Sequence, residues 1–162
     1  MTKPELKVTT PSDREAVITR VVDAPRGMVF DAHTKPALVR RWLLGPPGWT
    51  MPVCEIDLRV GGKYRYEWRA EDGQSMGMGG TFKEIVRPSR IVATQLFDQD
   101  WTGGETIVST DIVEKNGKST ITTTVRYSSR EARDAALQTG MTSGMEMGYE
   151  RLEALLKETA NG

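Results

Sequence analysis

The chain has 162 residues, with Lys and Arg together numbering 22 and Asp and Glu 22, so its formal net charge at neutral pH is zero. With no net basic charge to neutralise phosphates, no nucleic-acid partner is expected; with one histidine and one cysteine, neither a metal nor another cofactor is expected. The length suits a single domain that buries its own core, and the lone Cys54, which excludes an intramolecular disulfide, reads as a small buried hydrophobe.

Residues 1–13 are polar and contain Pro4 and Pro11, so they are read as a flexible leader; residues 14–158 form the domain and 159–162 a tail. The leader lacks the apolar stretch of a signal peptide, and nothing later approaches the roughly 20 apolar residues that span a bilayer. No membrane span is expected, and a cytoplasmic location is the default.

Residues 16–22 form the first β-rich segment, with Ala16 and Ile18 alternating against Val17, Thr19 and Val21. Pro25 then suits the first turn of a helix whose apolar side is Met28, Val29 and Ala32, and a second short helix follows Pro36. From Val53 onward period-2 patterns dominate: residues 53–60, a Gly61-Gly62 turn, then residues 63–70, in which Tyr64, Tyr66 and Trp68 alternate with charged residues. Further strands are expected over residues 77–86, 91–97, 105–114 and 118–127, with Asn116-Gly117 as a tight turn. Strands joined in sequence by short turns imply an antiparallel meander.

At Ser128 the period changes. Ser128 and Glu131 have the spacing of a capping box, and Leu137, Met141, Met145, Gly148, Leu152, Leu155 and Leu156 then recur at helical spacing. Thr139-Gly140 is a candidate interruption; Ser143 and Glu146 then offer a second capping box, giving a short helix followed by a longer one. Gly140, Gly144 and Gly148 recur every four residues, at roughly 1 kcal/mol apiece relative to Ala. They either accommodate bulky neighbours such as Trp42 and Trp49 or leave a cavity between helix and sheet, with Met141 and Met145 as an adaptable lining.

Four stretches carry a family resemblance: VVDAPRGMVFDAHTKPALVRRWLLGPPGWT, EIDLRVGGKYRYEW, MGGTFKEIVRPSRIV and GMEMGYERLEALL. Together they resemble the START-like (SRPBCC) superfamily and, within it, the group named for homologues of the activator of the heat-shock protein 90 ATPase. The resemblance implies an α+β helix-grip fold: a curved antiparallel sheet of about six to seven strands around a long C-terminal helix, two short helices after the first strand, and a ligand-sized pocket between sheet and helix. It also implies a wide range of roles, from cyclases and lipid carriers to chaperone regulators, so function has to be argued from the site. In this family a large aromatic often stands where this chain has His33.

The cavity candidates are Trp42, Trp49, Ile56, Leu58, Tyr64, Tyr66, Trp68, Met78, Phe82, Phe97, Met141, Gly144 and Met145, with Met76, Ile91, Ile121 and Val125 as further lining candidates. Asp57, Arg65 and His33 are candidate polar anchors. The competing reading of the charges is that Glu55, Asp57 and Arg59 pair across a hairpin with Lys63, Arg65, Glu67 and Arg69 on a solvated face; His33 is otherwise a helix-surface or partly packed residue. No catalytic residue is assigned, because no nucleophile can be matched to a base.

Three function classes follow. Non-catalytic binding of a hydrophobic or amphipathic small molecule ranks first. A protein-interaction role, with a chaperone as partner in a stress response, ranks second. An enzyme of the polyketide cyclase or hydrolase kind, using the same cavity, ranks third. The pattern leaves both monomer and homodimer open.

Overall fold

The computed structural model describes residues 6–99 and 104–161; the expectations for residues 1–5 and 162 lie outside it. In chain order the elements are β1 (Lys7–Thr9), β2 (Glu15–Val22), α1 (Arg26–Thr34), α2 (Pro36–Trp42), β3 (Trp49–Ile56), β4 (Lys63–Ala70), β5 (Ser75–Val86), β6 (Arg90–Phe97), β7 (Thr106–Lys115), β8 (Lys118–Arg126), α3 (Arg130–Leu137) and α4 (Met141–Asn161). Among the described residues there are eight strands in one antiparallel sheet, in the order β1-β2-β8-β7-β6-β5-β4-β3. The expected helix-grip architecture is present, with a slightly higher strand count than expected.

The extra strand is β1. Lys7, Val8 and Thr9 pair with Thr19, Ile18 and Val17 of β2, and the buried Arg133 of α3 donates to the Ser12 carbonyl. Residues 6–13 are therefore tied down rather than frayed: a polar segment reads as a leader from composition, yet an edge strand needs only backbone groups to pair.

β3 also differs from expectation, running from Trp49 to Ile56 instead of over residues 53–60. Beyond Ile56 the chain turns back on itself, with the amides of Arg59 and Gly62 donating to the carbonyls of Asp57 and Arg59. At Gly62 a Cβ would meet the Asp57 carbonyl oxygen at 2.1 Å. The apolar Leu58 and Val60 sit in this turn and are exposed.

From β2 the chain crosses to the far edge of the sheet through α1 and α2. Pro25 precedes α1 as its N-cap, and Pro36 opens α2; proline lacks the amide that a helix start leaves unpaired. Val29, Phe30 and Ala32 bury the inner side of α1, while Met28 is half-buried. The meander then returns strand by strand. Its tightest turn is Asn116-Gly117, both at positive φ (55° and 77°), as a two-residue hairpin of this kind requires.

Bulges between Thr50 and Val53 and between Phe82 and Glu84 bend the sheet over the core. Gly80 permits a closer approach. Its missing Cβ would lie 1.8 Å from the Thr94 carbonyl oxygen and 2.9 Å from the Tyr64 ring. The ring thus crosses above β5, and the Tyr64 hydroxyl donates to the Thr94 carbonyl at 2.6 Å.

The C-terminal region is two helices, as the Thr139-Gly140 signal suggests: α3 ends at Leu137, and Gly140 adopts φ 85° before α4 begins at Met141. The α3 cap falls on Ser129, not Ser128; its hydroxyl accepts from the Ala132 amide at 3.0 Å. That places Ala132 at the third helical position, so Ser128 and Glu131 are not the cap pair. Ser143 lies within α4 instead of capping it. α4 buries Tyr149, Leu152, Leu155 and Leu156 in the main core with Ile112 and Ile121, while Ala16, Ile18, Val125, Tyr127 and Ala136 form a second cluster.

Candidate functional site

A cavity of about 770 Å³ lies between α4, the α1–α2 pair and the concave face of the sheet. Alternation along β4 turns Tyr64, Tyr66 and Trp68 to this face. β5 adds Met76, Met78 and Phe82, and β6 adds Ile91, Ala93 and Phe97. The rings form a continuous wall: Phe82 and Tyr64 have centroids 5.3 Å apart, Tyr64 and Tyr66 5.1 Å, Tyr66 and Trp68 5.9 Å, and Trp68 and Phe97 6.4 Å.

The helices supply the opposite wall. Trp42 at the end of α2 is anchored by its indole N–H, which donates to the Ala32 carbonyl at 2.8 Å. It stacks on Tyr149 of α4 at 5.8 Å and meets the His33 ring edge-on at 4.9 Å. Gly148 lets α4 come this close, since a Cβ there would lie 3.2 Å from the Trp42 carbonyl oxygen. At Gly144 an added Cβ would meet only Gly45 Cα, at 3.9 Å. Gly140 serves neither purpose and instead breaks the helix. Gly148 thus admits Trp42, as one reading of the sequence expects, while Gly144 borders the cavity at a place where a Cβ would make ordinary contact with the 43–48 loop.

Residues 43–48 link the two walls. The Trp68 indole donates to the Leu43 carbonyl at 2.7 Å, Arg151 of α4 donates to the Gly45 carbonyl at 2.6 Å, and the Glu71 amide donates to the Gly48 carbonyl at 3.1 Å. The lining residues that reach solvent are Pro46, Gln99, Thr139 and Gly140, which mark the opening between this loop, the end of β6 and the α3–α4 break.

No Asp, Glu, Lys or Arg lines the cavity among the described residues. Its titratable groups are His33 and three tyrosines. Burial lowers the His33 pKa below its ordinary 6.5, against the opposing bond to the Val29 carbonyl; that bond, Nδ1 to oxygen at 2.8 Å, places the ring proton on Nδ1 and leaves Nε2 as an acceptor. Burial also pushes the Tyr64, Tyr66 and Tyr149 hydroxyls upward, so all three are neutral. Thr110, Thr123 and Gln95, with Gln99 and Thr139 at the opening, complete the polar lining.

Most sequence candidates converge here. Trp42, Trp49, Tyr64, Tyr66, Trp68, Met76, Met78, Phe82, Ile91, Phe97, Met141, Gly144, Met145 and His33 all line the cavity. Ile121 and Val125 are buried in the core clusters, and Ile56 packs against the main core without reaching the cavity. Leu58 is in the exposed turn. Asp57 and Arg65 are corrected as cavity anchors: Asp57 pairs with Arg59 at 2.9 Å, and Arg65 forms a two-armed pair with Asp98 at 2.8 and 2.6 Å on the outer face. Period 2 explains this, because Arg65 lies between two inward residues of β4.

Val39, Leu43, Leu44, Val108, Thr110, Thr123 and Tyr149 also line the site but were not among the sequence candidates. Tyr149 stands one turn after Met145 on the stripe, so helical spacing carried that signal. Thr110 and Thr123, directly paired on β7 and β8, look like ordinary strand threonines. Among the described residues, no group of three potential metal-binding side chains occurs, and no helix is long and apolar enough to cross a membrane.

Residues 23–157 match the family of activator of Hsp90 ATPase homolog 1-like proteins. No curated protein matches the sequence. Among solved structures, one from Rhodobacter sphaeroides is 30% identical, with TM-score 0.90 over 95% of this chain and 99% of that one. Another, from Chromobacterium violaceum, is 28% identical, with TM-score 0.75 over 88% and 96% of the two chains. A protein from Aeromonas hydrophila described as a member of the same homolog group is 20% identical, with TM-score 0.69 over 86% and 93%, a likeness of fold.

Proposed function

The chain belongs to the family of activator of Hsp90 ATPase homolog 1-like proteins, and we propose that it binds a hydrophobic or amphipathic small molecule in the cavity between α4 and the sheet, without chemically transforming it. The volume of about 770 Å³ carries this reading. It falls within the roughly 300–1,000 Å³ of ordinary small-molecule sites, and its walls are mainly apolar with a few uncharged polar groups.

The lining favours binding over catalysis. Its histidine has no described carboxylate to orient it and no described cysteine to activate, so no nucleophile is matched to a base among the described lining residues. Regulation of a chaperone, which the family's description suggests, is the second reading.

A thermal-shift panel of lipophilic small molecules, combined with native mass spectrometry, tests the reading. Several compounds are expected to raise the melting temperature and to appear as one-to-one complexes. A panel without any shift and a bare protein mass throughout would contradict it.

A further inference from the structure

We propose that the ligand is an uncharged, ring-bearing molecule, and that the cavity rejects carboxylates and other anions of the same shape because none of the described residues of its wall compensates a buried charge. This rests on the small-molecule reading above and narrows its chemistry. The distribution of residue types is the first observation. The chain has four tryptophans, four tyrosines and three phenylalanines; three of the tryptophans, three of the tyrosines and two of the phenylalanines line this one cavity. Charged residues make up 27% of the chain, yet none of those described lines it.

Geometry is the second. Arg151 is the cation bonded to the loop beside the cavity; its Nη1 donates to the Gly45 carbonyl at 2.6 Å, and the side chain is not part of the lining. The buried Arg20 is paired with Glu153 at 3.0 Å and does not reach the lining. An anion entering the cavity therefore loses its hydration without gaining a counter-charge, a penalty of several kcal/mol in protein interiors. A neutral molecule avoids it. The hydrogen-bonding groups on offer are His33 Nε2 as an acceptor and the hydroxyl and amide groups of Tyr66, Gln95 and Thr110, which suit carbonyl and hydroxyl substituents.

The aromatic walls supply the ring preference. Trp42 and Tyr149 are stacked at an interplanar angle of 24° on the helix side, and Trp68 and Phe97 at 23° on the sheet side. Both stacked pairs line the cavity, so a ring-bearing ligand meets aromatic surface from the helix side and from the sheet side.

Matched pairs test the proposal, with tryptophan fluorescence of the full chain as the readout. Acetonaphthone is compared with naphthoate, and decanol with decanoate, at neutral pH. The neutral member of each pair is expected to bind about 100-fold more tightly than its anion, and acetonaphthone more tightly than decanol. Naphthoate affinity should rise as the pH falls towards its own carboxyl pKa of about 4, where the neutral acid becomes available. Gln95→Arg, which places a cation in the wall, should narrow or reverse the preference, and Thr110→Lys serves if that variant does not fold.

An anion binding as tightly as its neutral partner, a preference for decanol over acetonaphthone, or an unchanged preference in the folded cation variants overturns the proposal. Failure of every probe to bind removes the small-molecule reading itself. Binding with the wrong selectivity removes only the ligand class.

Discussion

The two faces of β4 present different chemistry from adjacent residues. Tyr64, Tyr66 and Trp68 turn to the cavity, whereas Arg65 and Glu67 between them form ion pairs on the outer face, at 3.2 Å to one another and with Asp98 beyond. On the outer face charge is shared among neighbours in water, where each pair is individually weak. On the inner face charge is absent and the polar groups are neutral. The lesson is that one strand can be assigned to two environments by period 2, and the inner environment then defines what the protein is able to hold.

The strongest way to break this division is at its exception. Arg20 lies on the inner side of β2, is 3% exposed, and has its Nη1 on Glu153 of α4, while its Nε has no partner among the described residues. Glu153→Ala leaves that cation buried and unpaired, so a loss of about 3–5 kcal/mol is expected in urea unfolding. Arg20→Met, which removes the charge and keeps the volume, should be much milder. Equal losses in the two variants would mean that packing, and not charge, governs this contact.

A second comparison sets solid core against cavity wall. Ile121→Ala opens a void in a fully buried position, for which about 2–5 kcal/mol is expected. Met78→Ala enlarges a space that already exists, and its cost should lie below that of Ile121→Ala by at least about 1 kcal/mol. Urea midpoints that rank them in the opposite order would argue that the Met78 side is packed.

The smallest effect concerns His33. Its folded-state pKa lies below the ordinary 6.5 because burial disfavours the imidazolium. Above pH 6.5 the imidazole is neutral in both states and the full stability is present; as the pH falls through 6.5 the unfolded chain takes up a proton that the folded one resists, so stability declines until the folded pKa is passed. His33→Phe should flatten that part of the stability-against-pH curve, measured by urea midpoints between about pH 7 and pH 5. An unaltered slope would place the titration elsewhere.

Much of this arrangement was legible in the sequence because period and punctuation are local. The alternation of Tyr64, Tyr66 and Trp68, the Asn116-Gly117 turn and the Thr139-Gly140 break each follow from residues close together in the chain. The misses have a different cause. β1 depends on an edge that β2 happens to offer, and Leu58 continues an apolar alternation past the point where the turn at Gly62 ends the strand. Thr110 and Thr123 face inward by the same alternation as Val108 on β7 and Ile121 and Val125 on β8, but as threonines they carry no apolar signal. Asp57 and Arg65 were candidate anchors on chemistry alone; period 2 turns Arg65 to the outer face beside Asp98, and Asp57 lies in the turn beyond β3, paired with Arg59.

The proposed binding depends on the cavity that Gly144 borders opposite the sheet. Gly144 lines the cavity, and a Cβ there would make only an ordinary contact, 3.9 Å from Gly45 Cα, while replacing a glycine within a helix. Gly144→Leu is therefore expected to hold or raise the urea midpoint, by up to about 1 kcal/mol, and to occupy the ligand's place. The decisive measurement is calorimetric titration of acetonaphthone into the native chain and this variant: one-to-one binding in the former and at least about tenfold weaker binding in the latter is the expected result, and equal affinity in two equally folded proteins would contradict it.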